Sequence, residues 1–140
     1  DKSEPAVVVK QVSAQGRTVK LAIVARGIAK LQGVAFRLQL TKELKLLSSE
    51  GGGDFAAPQG VISLKRVDNE LWGGVGRRGR LNGIDAKSVE RTIATVELEV
   101  EGNGPIPLSF RPYHNLVLDS ETGQRVDAKW FGGTLQPTSK

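Results

Sequence analysis

The segment Ala94-Thr95-Val96-Glu97-Leu98-Glu99-Val100-Glu101 alternates between apolar and polar or acidic residues along its whole length. Successive side chains of an extended strand point to opposite sides of a sheet, so the segment has one apolar face and one acidic face. A helix would scatter the same apolar groups around its axis. The β-branched residues also favour the extended form. The segment therefore predicts a β-strand that is buried on one side.

The same period of two recurs at residues 19–26 and 34–41. Three such segments need a shared interior, and two sheets packed face to face provide one. The residues predicted to face inward are Val19, Leu21, Ile23, Ala25, Val34, Phe36, Leu38, Leu40, Ala94, Val96, Leu98 and Val100.

Further strands are predicted at residues 6–12, 61–67, 70–75, 106–110, 116–119 and 130–135. Turns rich in Gly, Asn and Asp separate them at the spacing of an all-β sandwich. Residues 41–47 have good helical propensity and predict a short helical turn. We therefore expect a single two-layer antiparallel β-sandwich over residues 1–140, with an ordered core from about residue 5 to about residue 136.

The composition restricts the chemistry that is available to the chain. Its 140 residues contain no cysteine, which excludes disulfides, zinc–thiolate sites and thiol nucleophiles. The chain also lacks methionine, so we expect a mature product or an excised fragment, with any export signal or lipid anchor upstream of Asp1. A net charge of +5 is a mild basic bias, most of which we assign to a solvated surface.

In chain order, these segments resemble the cohesin family, within the wider group of carbohydrate-binding-like jelly-roll sandwiches. The family has an aromatic residue and Asp-Pro after its third strand, where this chain has Leu40-Thr41-Lys42-Glu43-Leu44. The stretches that carry the resemblance are Gly16-Arg17-Thr18-Val19-Lys20-Leu21, Leu31-Gln32-Gly33-Val34-Ala35-Phe36-Arg37-Leu38-Gln39-Leu40, Arg91-Thr92-Ile93-Ala94-Thr95-Val96-Glu97-Leu98-Glu99-Val100, Pro107-Leu108-Ser109-Phe110 and Gly132-Gly133-Thr134-Leu135.

The resemblance implies a jelly roll of about nine strands, export to the cell surface and protein–protein attachment, which in cellulosomes means attachment to a dockerin. The departure after the third strand favours a divergent module of a bacterial surface protein or lipoprotein. The expected partner is a dockerin-like or other surface protein. Contact with a membrane is expected only through an anchor upstream of this chain.

The titratable residues give little support to catalysis. His114 is the only histidine, in the turn-like stretch Pro112-Tyr113-His114-Asn115, and no nucleophile-elbow sequence accompanies it. We interpret it as a surface-loop residue.

Three glutamates, Glu97, Glu99 and Glu101, share one strand face. We expect them to pair with basic neighbours such as Lys20 and Arg26 and not to act in acid–base catalysis. The sequence therefore predicts that the protein is not an enzyme.

No cofactor or metal site is expected. The stretch Asp119-Ser120-Glu121-Thr122-Gly123 begins like a calcium loop but lacks the closing glutamate, so we interpret it as a hairpin turn. The cluster Gly76-Arg77-Arg78-Gly79-Arg80 suits phosphate, an acidic glycan or an acidic protein surface. Trp72 and Trp130 each suit core packing, but Trp72 is exposed if Leu71 faces inward.

The sequence predicts that one sheet carries the surface that contacts the partner. The alternative is a carbohydrate-binding module, which needs exposed aromatic residues in a row or a calcium site. Nucleic acid is disfavoured because the basic residues are not interleaved with aromatic ones. The residues predicted to contact the partner are Arg37, Gln39, Lys65, Arg66 and Trp72, with Arg77, Arg78 and Arg80 at the edge.

Overall fold

The computed structural model describes residues 4–56, 60–77, 83–102, 104–120 and 123–137. Within them the chain forms fourteen strands and one 3-10 turn, Gly53–Phe55. No helix in these ranges has the length and apolar character of a membrane span. The strands are β1 (Ala6–Gln15), β2 (Thr18–Arg26), β3 (Ile28–Gln39), β4 (Leu44–Gly51), β5 (Gly60–Val67), β6 (Glu70–Arg77), β7 (Ile84–Ala86), β8 (Arg91–Val100), β9 (Ile106–Pro107), β10 (Ser109–Phe110), β11 (Leu116–Asp119), β12 (Arg125–Val126), β13 (Lys129–Phe131) and β14 (Thr134–Leu135).

Two sheets make up the sandwich, as predicted. The first sheet has the strand order β13-β1-β2-β8-β4. The second sheet has the order β12-β11-β3-β6-β5, and β7 and β10 also pair with β3. Strands β14 and β9 form a separate small pair. Among the described pairs, the parallel pairing of β1 with β13 departs from an otherwise antiparallel arrangement.

One hydrophobic core lies between the two sheets. All twelve residues predicted to face inward are buried there, none with more than 4% of its surface exposed. Each large apolar side chain buried in this way contributes roughly 1.5–3 kcal/mol to folding. Phe36 contacts Phe110 edge to face, and Phe110 contacts the half-buried Trp130 in the same way. Alternation in the sequence was therefore sufficient to identify the centre of the core.

The predicted helical turn at residues 41–47 is wrong. Residues 41–43 form a turn in which the Leu44 N–H donates to the Thr41 carbonyl at 3.2 Å. From Leu44 the chain continues as β4, the edge strand of the first sheet. Leu44 is buried opposite Val100 of β8. Pairing with a distant strand thus overrides the local helical propensity.

Two predicted strands are each divided by the fold. Residues 106–110 form β9 and β10, which pair with different strands, β14 and β3. Residues 130–135 fall into β13, beside β1, and β14, beside β9. Such short strands cross from one sheet to another at the margins of the sandwich, and a continuous apolar pattern does not reveal the break.

Candidate functional site on the outer face of the second sheet

The register of three neighbouring strands places Arg37, Trp72 and Lys65 in one row across the second sheet. Arg37 of β3 is opposite Trp72 of β6, and Trp72 is opposite Lys65 of β5. Leu71, the residue before Trp72, is fully buried. Trp72 must therefore face outward, and 38% of its surface is exposed. Of the two interpretations open for Trp72, core packing is the wrong one.

The exposed Trp72 ring is held on two sides. The Arg37 guanidinium carbon lies 3.9 Å from the ring centroid, within the range of a cation–π contact. The indole Nε1–H donates to Glu70 Oε1 at 2.8 Å. The second carboxylate oxygen of Glu70, Oε2, lies 2.8 Å from Nε of Arg111. These contacts fix the orientation of a large side chain that solvent reaches.

The loop after β10 supports the same row from one end. The Arg111 N–H donates to the Arg37 carbonyl at 2.8 Å, and the Arg37 N–H donates to Oδ1 of Asn115 at 2.8 Å. The Asn115 amide also donates to the Arg111 carbonyl. His114 adopts a positive φ of 70° and is exposed beside Tyr113. The prediction of a surface-loop histidine is confirmed.

A shallow depression lies beside the Arg37–Trp72–Lys65 row. Its floor is the next row of the sheet, where Ala35, Gly74 and Ser63 are opposite one another. We call these three residues the floor. Tyr113, His114, Leu116 and Arg125 also line the depression. Its described lining contains three cationic side chains, Arg37, Lys65 and Arg125, and no carboxylate.

The other residues predicted for the partner surface lie elsewhere. Gln39 is on the same strand as Arg37, but its Oε1 accepts from the Ser109 hydroxyl at 2.8 Å and it lines a separate groove. Arg77 is the last residue of β6, where it pairs with Gly60. Arg78 and Arg80 lie outside the described residues, so the Arg-rich cluster is not placed as a whole.

Arg66 does not reach this face. It is opposite the buried Leu71, so its side chain leaves β5 on the inner side of the sheet. Its guanidinium donates to the carbonyls of Leu44 and Thr41, the latter at 3.0 Å, and Nε donates to the Asp68 carbonyl at 2.8 Å. Arg66 thus ties the end of β5 to the start of β4, which is a structural role.

Besides the floor, Leu116 and Arg125, the residues of this region that the sequence analysis missed are Glu70, Arg111, Tyr113 and Asn115. A signal existed for Glu70, because a residue two positions before Trp72 on a strand must share its face. The other three belong to a loop, whose position relative to β3 depends on the fold. No sequence pattern reports that position.

The remaining candidate clusters show ordinary structural contacts. Lys20 is opposite Glu97 as expected, but Arg26 lies 3.8 Å from Glu90 instead. Strands β11 and β12 are antiparallel, and the Gly123 N–H donates to the Asp119 carbonyl at 2.8 Å, so the described residues on either side of the predicted turn pair as in a hairpin. Residues 121 and 122 of that turn lie outside the described residues. Across the described part of the chain, no group of three or more potential metal ligands comes together.

Searches with the sequence find no matching family model and no matching curated protein. The fold, in contrast, matches solved structures of cohesins. A non-cellulosomal cohesin from Archaeoglobus fulgidus has a TM-score of 0.75 at 13% identity, covering 97% of this chain and 92% of that one. The match to a type I cohesin–dockerin complex from Clostridium thermocellum has a TM-score of 0.76 at 16% identity, covering 96% and 99%.

A third structure, the sixth cohesin of scaffoldin B from Acetivibrio cellulolyticus in complex with a dockerin, has a TM-score of 0.75 at 18% identity, covering 96% and 99%. Three independent cohesins thus match nearly end to end. The resemblance drawn from the sequence is confirmed at the level of the fold, which is the cohesin jelly roll.

Proposed function

We propose that this chain, which has the cohesin fold, is a non-catalytic docking module that binds a protein partner on the outer face of its second sheet. The observation that carries the proposal is Trp72, which is exposed and yet fixed by Arg37 and Glu70. Tryptophan and arginine are the residues most often found as energetic anchors of protein interfaces. An anchor that is already ordered loses little conformational entropy on binding.

The comparisons support a protein partner. Two of the three cohesins described above are in complexes with dockerins. For this chain we propose a dockerin-like domain or another surface protein as the partner class. We also propose that the module works outside the cytoplasm, attached to the cell surface through a segment upstream of Asp1. Protease treatment of intact cells followed by immunoblotting tests this location, since only an exposed module is degraded.

Carbohydrate binding is the second candidate, because Trp72 and Tyr113 are both exposed and line one depression. The contact between Arg37 and Trp72 argues against it, since the guanidinium covers one face of the indole ring at 3.9 Å. A sugar would have to stack on the opposite face or displace Arg37. A glycan array probed with the wild-type protein tests this candidate, and Trp72-dependent hits would favour it over protein docking.

Site-specific photo-crosslinking tests the docking face directly. Val61 on β5, on the same face as the depression, and Ser48 on β4 are both exposed residues on edge strands, one on each sheet. A photoreactive amino acid at position 61 should give a discrete covalent adduct with a host-cell protein, and the same substitution at position 48 should not. Adding Arg37→Glu and Trp72→Ala should abolish the adduct without changing the melting temperature. An adduct from position 48 alone would reject this face.

A further inference from the structure

We infer that the partner contributes an acidic polypeptide segment, and that Gly74 lacks a side chain in order to let that segment approach the floor. The inference rests on the proposed function and adds the chemistry of the partner to it. Two observations carry it: the space above Gly74, and the unbalanced charge of the depression.

Gly74 is a glycine that the fold does not require. A Cβ atom added at this position would meet nothing within 4 Å, and the backbone is not in the left-handed region. Glycine also weakens a strand interior, because it loses more conformational freedom on folding than other residues. The adjacent Gly73 is different, since a Cβ there would lie 2.2 Å from Cζ of Phe36 in the core. Packing accounts for Gly73 and leaves Gly74 without a structural reason.

The absence of a side chain at Gly74 leaves room for a partner to approach the sheet. Gly74 lies at the centre of the floor, between Ala35 and Ser63, and directly beside the Arg37–Trp72–Lys65 row. All three floor residues are small, so a partner backbone placed against them comes close to the sheet. Glycine is commonly found where another backbone or a ligand approaches a strand closely.

The positive charge of the depression favours a partner that carries carboxylates. Arg37, Lys65 and Arg125 line it without a carboxylate among its described lining residues, and the nearby Glu70 is already paired with Arg111. Carboxylates are the protein groups that complement such a surface, and arginine binds them with directed hydrogen bonds. We favour a polypeptide over an acidic glycan because Arg37 covers one face of the Trp72 ring.

The test uses two synthetic peptides, one with glutamate at alternate positions and one with glutamine at the same positions, and heparin as an anionic polysaccharide. Amide chemical shifts of the labelled protein are followed by nuclear magnetic resonance during each titration. The glutamate peptide should shift the amides of Ala35, Ser63 and Gly74 and the Trp72 indole signal. Its affinity should fall as ionic strength rises.

Two glycine substitutions give the decisive contrast. Gly74→Val should weaken binding of the glutamate peptide at least about tenfold, a loss on the scale of one good interaction, while the melting temperature stays equal or rises. Gly76→Val is the matched control, because Gly76 lies on the same strand outside the depression and its added Cβ makes only an ordinary 3.7 Å contact with the Gln32 carbonyl. This control should bind within about twofold of wild type.

Three results would overturn the inference: wild-type affinity in Gly74→Val, equal binding of the glutamine peptide, or shifts at the floor caused by heparin alone. None of these results affects the photo-crosslink from position 61, which lies outside the floor. If that adduct forms while the glutamate peptide ignores the floor, docking on this face stands and the acidic partner is rejected. If the adduct also fails to form, the proposed function falls as well.

Discussion

The outer faces of the two sheets differ in how their charges are arranged. On the first sheet, Lys10 lies 2.7 Å from Glu90, and Lys20 and Lys45 are opposite Glu97 and Glu99. On the second sheet, the cations around the depression have no acidic counterpart within its described lining. Both faces belong to one antiparallel sandwich with similar strands, so the fold alone does not account for the difference.

Under the proposed function, the first face only has to be soluble, whereas the second face also has to bind a partner. Exposed ion pairs contribute about 0–1 kcal/mol each, so the first face is adequately explained as a solvated surface. The second face combines an ordered tryptophan, unbalanced positive charge and a glycine floor. Each of these features costs solubility or stability unless a partner covers it.

The largest expected effect distinguishes two adjacent glycines of the second sheet. Gly73→Val should destabilise the protein by about 3 kcal/mol, at the upper end of the overpacking range, because its Cβ collides with Phe36. Gly74→Val should leave the stability equal or higher. Urea denaturation of both variants measures the difference. Similar losses in the two would mean that Gly74 is structural, and the contrast between the faces would weaken.

The next largest effect is a difference in stability loss between alanine variants of two arginines. Arg66→Ala should cost about 2 kcal/mol, because several backbone carbonyls lose a charged donor. Arg37→Ala should change stability by less than about 0.5 kcal/mol, as expected for a surface substitution, while partner binding is lost. Thermal unfolding together with the crosslinking assay tests the pair. A large stability loss in Arg37→Ala would show that Arg37 has a structural role and would contradict its role as a binding anchor.

A smaller effect concerns how firmly Trp72 is held. Glu70→Ala removes both the acceptor of the indole N–H and the partner of Arg111. We expect a stability loss of about 0.5–1 kcal/mol, since the pair is partly exposed, and faster motion of the Trp72 side chain. Nitrogen-15 relaxation of the indole signal measures that motion. An unchanged order parameter would show that Glu70 does not orient the ring.

The smallest expected effect is a pH dependence of the folding stability, which is unrelated to the difference between the two faces. The backbone N–H of Ser88, followed by the Ser88 hydroxyl and the Lys87 N–H, lowers the pKa of Asp85 from 3.8 to about 2. A lowered pKa in the folded state contributes stability above pH 3.8, and this contribution disappears as the pH falls through about 2.

Asp85→Asn keeps an oxygen acceptor for the turn but does not titrate, so its urea midpoint should change less than that of wild type between pH 5 and pH 2. Parallel pH profiles of the two proteins would contradict this assignment.

The sequence alone was enough to predict the sandwich and the centre of its core, because alternation is a local property. The alternation of side chains along a strand could also be inferred from the sequence. Lys65 and Arg66 are adjacent, so they cannot lie on the same face of the sheet. What the sequence did not contain is the register between strands. Arg37 and Trp72 meet only because β3 pairs with β6 in one register, and Leu44 becomes part of a strand only because Val100 lies opposite it.

Hydroxyl-radical footprinting of the complex with the captured partner tests the docking face most directly. Trp72 and Tyr113 are exposed beside the depression, and Phe131 is similarly exposed on β13 of the first sheet. Partner binding should protect Trp72 and Tyr113 from oxidation and leave Phe131 as reactive as in the free protein. Protection of Phe131 with Trp72 fully reactive would place the partner on the other side of the sandwich and contradict the account.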